Sequence, residues 1–206
     1  MNYVKNMTDR YPALAACESE VALATEAVVD CYNNGGKILL LGNGGSAADA
    51  EHISGELLKG FLSKRPVTDA ERERLSPLGD AADKLQRGIP AIPLTSLTSV
   101  LSAFANDVEP ELVYAQLVFA LGRECDLVIG LSTSGNSKNV VAALKTAKAL
   151  GIKTVAMTGE TGGALADIAD VVIKAPARET YKVQEYHLPI YHAICAEAER
   201  IIFEEN

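Results

Sequence analysis

Five short apolar runs recur along the chain, each flanked by turn-forming residues, and segments with helical spacing lie between most of them. The apolar runs cover residues 37–41, 91–94, 127–131, 153–157 and 171–175. The helical segments cover residues 12–33, 46–60, 99–122, 137–150, 163–169 and 181–204. Continuous apolar strands that alternate with helices are typical of a mostly parallel sheet with helices on both faces, because parallel strands need crossover connections. The sequence therefore predicts an α/β fold, a three-layer αβα sandwich with a five-stranded, mostly parallel sheet.

The length, apolar content and net charge of the chain indicate which classes of partner to expect. The chain has 206 residues, 48% of them hydrophobic, which is enough for one large α/β core. Its 19 Lys and Arg against 27 Asp and Glu give a net charge of -8, so the surface as a whole repels phosphate backbones and anionic membranes. We therefore expect no nucleic acid and no membrane among its direct partners. The first residues carry no apolar signal segment and no run of about 18 apolar residues occurs, which predicts a soluble, cytoplasmic protein.

Four cysteines are spread along the chain without any C-x-x-C pairing. They are Cys17, Cys31, Cys125 and Cys195. Each lies in a mainly apolar stretch, which favours packing of the thiol in a helix or strand. We therefore expect a reduced, intracellular protein.

One segment departs from the alternating pattern. Residues 62–88 are rich in charge and contain two prolines, and helical spacing is present only near residues 68–75 and 80–87. Such a segment is typical of a solvated insertion or a mobile lid. Because it follows directly on the helix that carries His52 and Glu56, a cover over a functional site is the alternative interpretation.

Two loops rich in glycine, serine and threonine follow apolar runs. Residues 42–45, Gly-Asn-Gly-Gly, allow close approach of a ligand, and we expect Ser46 to cap the next helix, with Asp49 completing a capping box. Residues 132–137, Ser-Thr-Ser-Gly-Asn-Ser, offer four hydroxyl groups and backbone donors at a helix start, which suits a phosphate monoester. Ligands of open α/β sheets bind at the carboxyl ends of the strands. For each loop, a purely structural turn remains the alternative.

All three histidines of the chain lie in two segments. His52 and Glu56 are four residues apart and share a helix face, as two metal ligands, an acid–base pair or an ordinary solvated pair would. In the last helix, Gln184 and His192 are eight residues apart and can face the same way. His187 is turned aside from Gln184 by about 60° at 100° per residue. These segments are the candidates for the chemistry of the chain.

Five motifs together resemble one known family. They are GNGGSAADAEHISGEL at 42–57, AND at 105–107, DLVIGLSTSGNSKNVVAAL at 126–144, TGETGG at 158–163 and TYKVQEYHLPIYH at 180–192. The sequence resembles the sugar isomerase (SIS) domain proteins, and within them the phosphoheptose isomerases, which interconvert sedoheptulose 7-phosphate and D-glycero-D-manno-heptose 7-phosphate. STSGNS alone is typical of the wider family, whereas H-x-x-x-E followed by Q-E-x-H-x-x-x-x-H is typical of this branch. The resemblance implies one SIS domain over residues 1–206, with a charged insertion at about 62–88.

The resemblance also implies catalytic and metal-binding roles. Glu56 and His192 match the catalytic pair, with Glu56 as the base that moves a proton between C1 and C2 through an enediol. His192 is then the acid–base partner at the sugar oxygens, a role that suits an imidazole. The zinc positions of the family match His52, Glu56, Gln184 and His192. For Glu56 the roles of base and zinc ligand compete, and both stay open.

Further positions match the family's contacts with its substrate. These positions are Asn43, Gly44, Gly45, Ser46, Glu56, Asn106, Asp107, Ser132, Thr133, Ser134, Ser137 and Gln184. The resemblance implies a homotetramer whose sites are shared across an interface, with the N-terminal and C-terminal helices packed between subunits. Two departures stand out: Gly60 replaces an arginine that is frequent in the family, and Pro189 is expected to kink the last helix. The alternatives are a non-catalytic SIS protein that binds a sugar phosphate or a protein partner, and an isomerase of a different sugar phosphate.

Overall fold

In the computed structural model, which describes residues 1–204, five strands form one sheet. The strands are β1 Ile38–Leu41, β2 Ala91–Pro93, β3 Leu127–Leu131, β4 Lys153–Thr158 and β5 Val171–Lys174. Their order is β2-β1-β3-β4-β5, and all four pairings are parallel. Each strand lies within two residues of a predicted apolar run, so the predicted α/β sheet is confirmed.

Helices connect these strands and precede them. The α-helices are α1 Tyr3–Arg10, α2 Glu18–Asn33, α3 Gly45–Leu58, α4 Asp69–Arg74, α5 Thr98–Asp107, α6 Val113–Leu121, α7 Lys138–Ala149 and α8 Thr180–Phe203. Short 3-10 helices span Pro12–Cys17, Ser76–Lys84, Leu94–Ser96, Pro110–Leu112 and Gly163–Asp167. The helix predicted over 99–122 is divided in two near Pro110, because proline cannot continue the hydrogen-bond ladder of a helix. α8 continues through Pro189, and the kink there stays a prediction.

The helices cover both faces of the sheet. Alternate side chains of β1 enter two separate cores, with Ile38 and Leu40 in one and Leu39 and Leu41 in the other. The first core is completed by α1, α2, α3 and α8, and the second by α6 and α7 with α5 packed at its margin. α8 lies at the centre of the first layer, where α1, α2 and α3 all pack against it. The three-layer sandwich that the sequence predicted is confirmed.

The four thiols are free, and three of them are buried. Cys17, Cys31 and Cys195 pack in the first core, as their apolar context predicted. For Cys125 the prediction is wrong, because this residue lies exposed in the turn between α6 and β3.

The charged segment at 62–88 folds largely on itself. Its helix α4 begins with a complete capping box between Thr68 and Glu71, and a bridge between Pro66 and Gln86 closes the segment at its base. In α4 and the 3-10 helix that follows it, Ala82 is the only buried residue among those that the structure describes. The segment therefore forms a solvated excursion with short helices at both places where helical spacing was present.

Across the described part of the chain, residues 1–204, the helices do not combine the length and the apolarity that spanning a bilayer requires.

Candidate active site

The first loop leads from β1 into α3. Gly44 has a φ of +55°, a region that side chains rarely adopt, and a Cβ at Gly42 would lie only 2.7 Å from the backbone oxygen of Ser46. Helix α3 begins at Gly45 with Gly44 as its N-cap and without a side-chain cap. The predicted capping box of Ser46 and Asp49 is therefore wrong, because the glycines bring the chain into the helix before Ser46, which is buried in the first turn.

The second loop leads from β3 into α7 and clusters its hydroxyl groups. The Oγ atoms of Ser132 and Ser137 lie 2.9 Å apart, and Ser134 Oγ accepts a hydrogen bond of 3.2 Å from the backbone N–H of Asn136. Ser132 is buried, Thr133 and Ser137 are half-buried and Ser134 is exposed. The hydroxyls thus lie beside the start of a twelve-residue helix, where the helix dipole favours an anion.

Hydrogen bonds between two amide side chains join the two loops. Asn43 Nδ2 donates to Asn139 Oδ1, and Asn139 Nδ2 donates to Asn43 Oδ1, both at 2.9 Å. Asn43 belongs to the first loop and Asn139 to the first turn of α7. The two loops therefore lie side by side at the carboxyl edge of the sheet, as the sequence predicted.

Two histidines and a glutamate converge where α3 packs against α8. His52 Nε2 lies 3.1 Å from Glu56 Oε1, and His192 Nε2 lies 3.5 Å from His52 Nε2. One ligand atom from each of the three residues lies within 4.8 Å of the others. The side chain of His52 is 42% exposed and that of Glu56 is 16% exposed. This triad of His52, Glu56 and His192 is a group that can hold a metal ion and remains open to solvent.

Polar and aromatic neighbours surround the triad. The hydroxyl of Tyr191 lies 2.9 Å from His52 Nδ1, and Lys59 Nζ donates to Glu56 Oε2 at 3.0 Å. The ring of Phe61 lies 5.4 Å from the ring of His192. A cavity of about 160 Å³ adjoins His192 and is lined by α1, α8 and the residues just after α3, including Arg10, Phe61 and Pro189.

The surroundings of the triad lower the pKa of both Glu56 and His192. Burial is the largest influence on the pKa of the Glu56 carboxyl and raises it, but the hydrogen bonds and charges of Lys59 and His52 together outweigh burial and hold the pKa below its usual value. Burial, reinforced by the charge of His52, lowers the pKa of the His192 imidazole. At neutral pH the structure therefore presents an ionised Glu56 and a neutral His192, a proton acceptor beside a group that can relay a proton.

Gln184, the fourth predicted metal position, lies nearer the N-terminus of α8 than His192 does. A Cβ at Gly45 would lie 2.4 Å from Gln184 Nε2, so the amide occupies the space that glycine leaves at the start of α3. Eight helical residues separate Gln184 from His192, which is about 12 Å along the helix axis. The structure thus brings three of the four predicted metal positions together, and the Gln184 amide lies against the start of α3.

His187 faces away from this site. Its side chain is fully buried, and its Nε2 lies 3.3 Å from the backbone oxygen of Thr158 on β4. Burial lowers the pKa of the imidazole to about 4. The third histidine is therefore a neutral group of the core, turned aside as the helical spacing predicted.

Asn106 and Asp107 lie apart from the triad. They form the last turn of α5, and Asn106 Nδ2 donates to Asp107 Oδ1 at 2.8 Å. Both are exposed, and α5 belongs to the layer on the opposite face of the sheet. Within one chain, these two residues therefore lie on the other side of the sheet from the triad, and their contact with a substrate stays a prediction.

Sequence reasoning did not assign a role to Lys59 or to Tyr191. Lys59 follows Glu56 at a spacing of three, which on a helix places both side chains on one face, so this contact could have been predicted. Tyr191 approaches His52 across two helices that are far apart in sequence, and nothing in the sequence signals that contact.

Comparisons with known proteins agree with this architecture. A family model described as SIS domain matches residues 87–197, and a second SIS domain model matches residues 2–73. The phosphoheptose isomerases of Roseiflexus sp. (strain RS-1) and Aneurinibacillus thermoaerophilus are each 44% identical to this chain; the matches cover 90% and 89% of it, and 83% and 82% of those proteins. A solved phosphoheptose isomerase from Francisella tularensis is 31% identical with a TM-score of 0.78, covering 93% of this chain and 91% of that one.

The parallel five-stranded sheet and the match over more than half of the chain define a protein of the SIS domain family. The resemblance seen in the five sequence motifs is thereby confirmed. With 44% identity over nine-tenths of its length, the chain belongs to the phosphoheptose isomerases, which are isomerase enzymes of that family.

Proposed function

We infer that this chain interconverts sedoheptulose 7-phosphate and D-glycero-D-manno-heptose 7-phosphate. The observation that carries this function is the convergence of Glu56 and His192 around His52, in a chain of the phosphoheptose isomerase family. An aldose–ketose isomerisation needs one group to move a proton between two carbons and another to move a proton between two oxygens. The site contains one candidate for each task.

The proton transfers balance without any further reagent. Starting from the ketose, Glu56 accepts a proton from C1, an enediol forms, and Glu56 returns the proton to C2. In the same reaction, His192 moves a proton between O1 and O2. Both residues end in the protonation states in which they began, so the same two residues can catalyse the reverse reaction.

The hydroxyl loop at 132–137 is the proposed phosphate site. The backbone N–H of Gly159 donates to Thr133 O at 2.9 Å, and a Cβ at Gly159 would lie 3.0 Å from Val183 on α8, so this loop adjoins the first turn of α8. From Val183 to His192 is nine helical residues, about 13 Å. An extended seven-carbon sugar phosphate with bonds near 1.5 Å is about 10 Å long, which is of the same order as this separation.

Zinc is the metal that we propose for the triad. A tetrahedral zinc ion with ligands at about 2.0–2.1 Å separates neighbouring ligand atoms by about 3.3 Å. The separations of 3.1 Å between His52 and Glu56 and 3.5 Å between His52 and His192 are close to that spacing, and all three ligand atoms lie within 4.8 Å of one another. Gln184 is the fourth ligand that the family resemblance implies. When bound, the metal would act as a Lewis acid toward the sugar oxygens, and Glu56 would serve as ligand, as base, or as both.

A homotetramer is the proposed assembly. The buried apolar residues of α1 and α2 pack against α8 within the chain, and the resemblance implies that the N-terminal and C-terminal helices also pack between subunits. Large apolar side chains are exposed on α2 and α8, where Leu23 is 50% and Tyr181 is 60% exposed, and on α5, α6 and the link between them, among them Val108 at 64% and Phe119 at 65%. Asn106 and Asp107 lie on the same side. Burial of this face against a second copy would carry both residues toward a neighbouring site.

Turnover assays with the purified chain test the proposed function. Sedoheptulose 7-phosphate is supplied with zinc and without it, and glucose 6-phosphate and ribose 5-phosphate serve as comparison substrates. We expect turnover of the seven-carbon substrate, with Glu56→Gln as the inactive control. Binding of the substrate without turnover would favour a non-catalytic SIS protein, and turnover of a comparison substrate alone would favour a different sugar phosphate.

A further inference from the structure

A buried ion pair lies directly behind the triad. Arg65 Nε donates to Glu199 Oε1 at 2.6 Å, and the two side chains are 0% and 1% exposed. The guanidinium also lies 4.9 Å from the ring of Phe203. Arg65 comes seven residues after the end of α3, and Glu199 belongs to α8, so the pair joins the two helices that carry the candidate site.

Arg65 holds the last turn of α3 through its remaining donors. Its Nη1 donates to the backbone oxygen of Leu57 at 2.6 Å, and its Nη2 donates to the backbone oxygen of Glu56 at 3.2 Å. Carbonyl groups at a helix C-terminus lack partners within the helix and favour a cation. The side chain of Arg65 therefore binds the very peptide unit from which the Glu56 carboxylate projects.

Glu199 holds the loop that follows the same helix. Its carboxylate accepts hydrogen bonds from the backbone N–H groups of Phe61, Leu62 and Ser63, at 2.8, 2.7 and 3.0 Å. Phe61 is the residue whose ring packs beside His192. One carboxylate on α8 thus fixes both the arginine and the loop between α3 and that arginine.

The backbone at Arg65 is strained to allow this arrangement. Its φ is +43°, and it is the only residue other than glycine with a positive φ among those that the structure describes. A side chain in that region costs on the order of 1 kcal/mol or more and persists where the surroundings over-determine it. Buried ion pairs contribute little net stability compared with apolar packing. The backbone strain at Arg65 and the small net stability that a buried ion pair provides together indicate a role other than stability.

We propose that Arg65, held in place by Glu199, is a positioning residue that fixes Glu56 relative to His192. This proposal rests on the isomerase function proposed above. Glu199 lies seven residues, about 10 Å, beyond His192 on α8, so one rigid helix carries both His192 and the anchor of Arg65. Because Arg65 bonds both to Glu199 on α8 and to the backbone oxygens of Glu56 and Leu57, it fixes the end of α3 relative to α8.

The test replaces the guanidinium while keeping its charge. Arg65→Lys preserves the pairing with Glu199 and removes the fork that reaches both carbonyl oxygens. We expect kcat for sedoheptulose 7-phosphate to fall about 10- to 100-fold with KM within about twofold, because misplacement by about 1 Å has effects of that size. Zinc affinity, measured by competition with a chromogenic chelator, is expected to fall about tenfold. Glu199→Gln, which keeps the shape of the side chain, is expected to change both quantities in the same direction.

Arg87 supplies the matched control. Its guanidinium lies 5.0 Å from the same Phe203 ring and pairs with Glu71 at 3.6 Å, and its partners lie outside α3. Arg87→Lys is therefore expected to leave kcat and zinc affinity unchanged. Thermal unfolding of all variants, run in parallel, separates loss of fold from loss of position, because only a variant that is folded at the assay temperature enters the comparison.

Two results overturn the proposal. Folded Arg65→Lys and Glu199→Gln proteins with the kcat and zinc affinity of wild type would show that the pair serves the fold alone, as would an equal loss in Arg87→Lys. A wild-type protein that lacks turnover defeats the proposed isomerase function separately. In that case the zinc measurement still decides whether Arg65 positions the triad.

Discussion

The helices on the two faces of the sheet differ in how far their side chains are buried within one chain. On the face of α1, α2, α3 and α8, even charged groups such as Arg65 and Glu199 are buried and fully partnered. On the other face, none of the residues that the structure describes in α5 is buried, and Phe119 on α6 is 65% exposed. The candidate chemistry lies on the face that the chain completes alone. Asn106 and Asp107 lie on the other face, exposed at the end of α5.

The largest effect is expected on the completed face, from Glu56→Gln. An amide cannot accept the proton from carbon, and loss of a general base typically lowers kcat by about 10²–10⁴-fold. We expect a loss near the middle of that range with a folded protein, because glutamine keeps the shape of the glutamate side chain. Initial rates with sedoheptulose 7-phosphate check this. Retention of more than a tenth of the wild-type kcat would count against Glu56 in either of its roles.

The next effect concerns the stability of the same face at acid pH. His187 has a pKa of about 4 in the folded chain because it is buried, against 6.5 for the free side chain. As pH falls from 6.5 toward 4, the unfolded chain takes up a proton that the folded chain does not, so the folded state loses stability across that window. The loss from this group is roughly 3 kcal/mol.

Urea unfolding at pH 7 and at pH 4.5 measures this loss for wild type and for His187→Gln. The variant lacks the titrating ring, so we expect its free energy of unfolding to fall less between the two pH values. Equal falls in both proteins would contradict a neutral, buried His187. His52→Gln is the control, because His52 is exposed and its replacement leaves this buried ring in place.

On the unfinished face, Phe119→Asp tests whether a second copy covers it. We expect sedimentation to show smaller assemblies than wild type. The free energy of unfolding of the separated chains should change by less than about 0.5 kcal/mol, because exposed side chains contribute little to the fold of one chain. A variant with the mass of the wild-type assembly would place the interface elsewhere. Leu23→Asp, at an exposed position of α2 in the other layer, serves as the comparison.

The smallest effect is expected from Lys59→Met. Lys59 helps to hold the pKa of the Glu56 carboxyl below its usual value, so its removal raises that pKa. A carboxylate is needed for proton transfer, and the acid limb of the kcat/KM profile should therefore move to higher pH. At neutral pH the rate should change by about twofold or less, because an exposed pair contributes little. Lys64→Met, at an exposed lysine on the same loop, should leave the profile in place.

The sequence predicted the strands of this protein more closely than it predicted the site. Continuous apolar runs such as 127–131 belong to strands buried on both faces, and this pattern admits few other structures. The capping box at the start of α3 was predicted wrongly, because Gly44 is the N-cap and has a positive φ that the sequence alone does not show. The break near Pro110 was missed because apolar spacing continues on both sides of it.

Contacts between distant parts of the chain account for what sequence reasoning could not supply. The spacing of His52 and Glu56 within one helix was sufficient to predict that they meet. Arg65 and Glu199 are 134 residues apart, and a charged residue in a charged segment gives no sign that it is buried. Gln184 faces α3 as its spacing with His192 allowed, but only the packing at Gly45 shows at which level of the helix it lies.

Proton exchange on the substrate tests the central claim most directly. Sedoheptulose 7-phosphate is incubated in heavy water with wild type, Glu56→Gln and His192→Ala, and proton NMR spectra are followed over time. We expect new aldose signals and deuterium at C2 with wild type, and greatly slowed exchange with both variants. Absence of exchange with wild type, or unchanged exchange with Glu56→Gln, would contradict that claim.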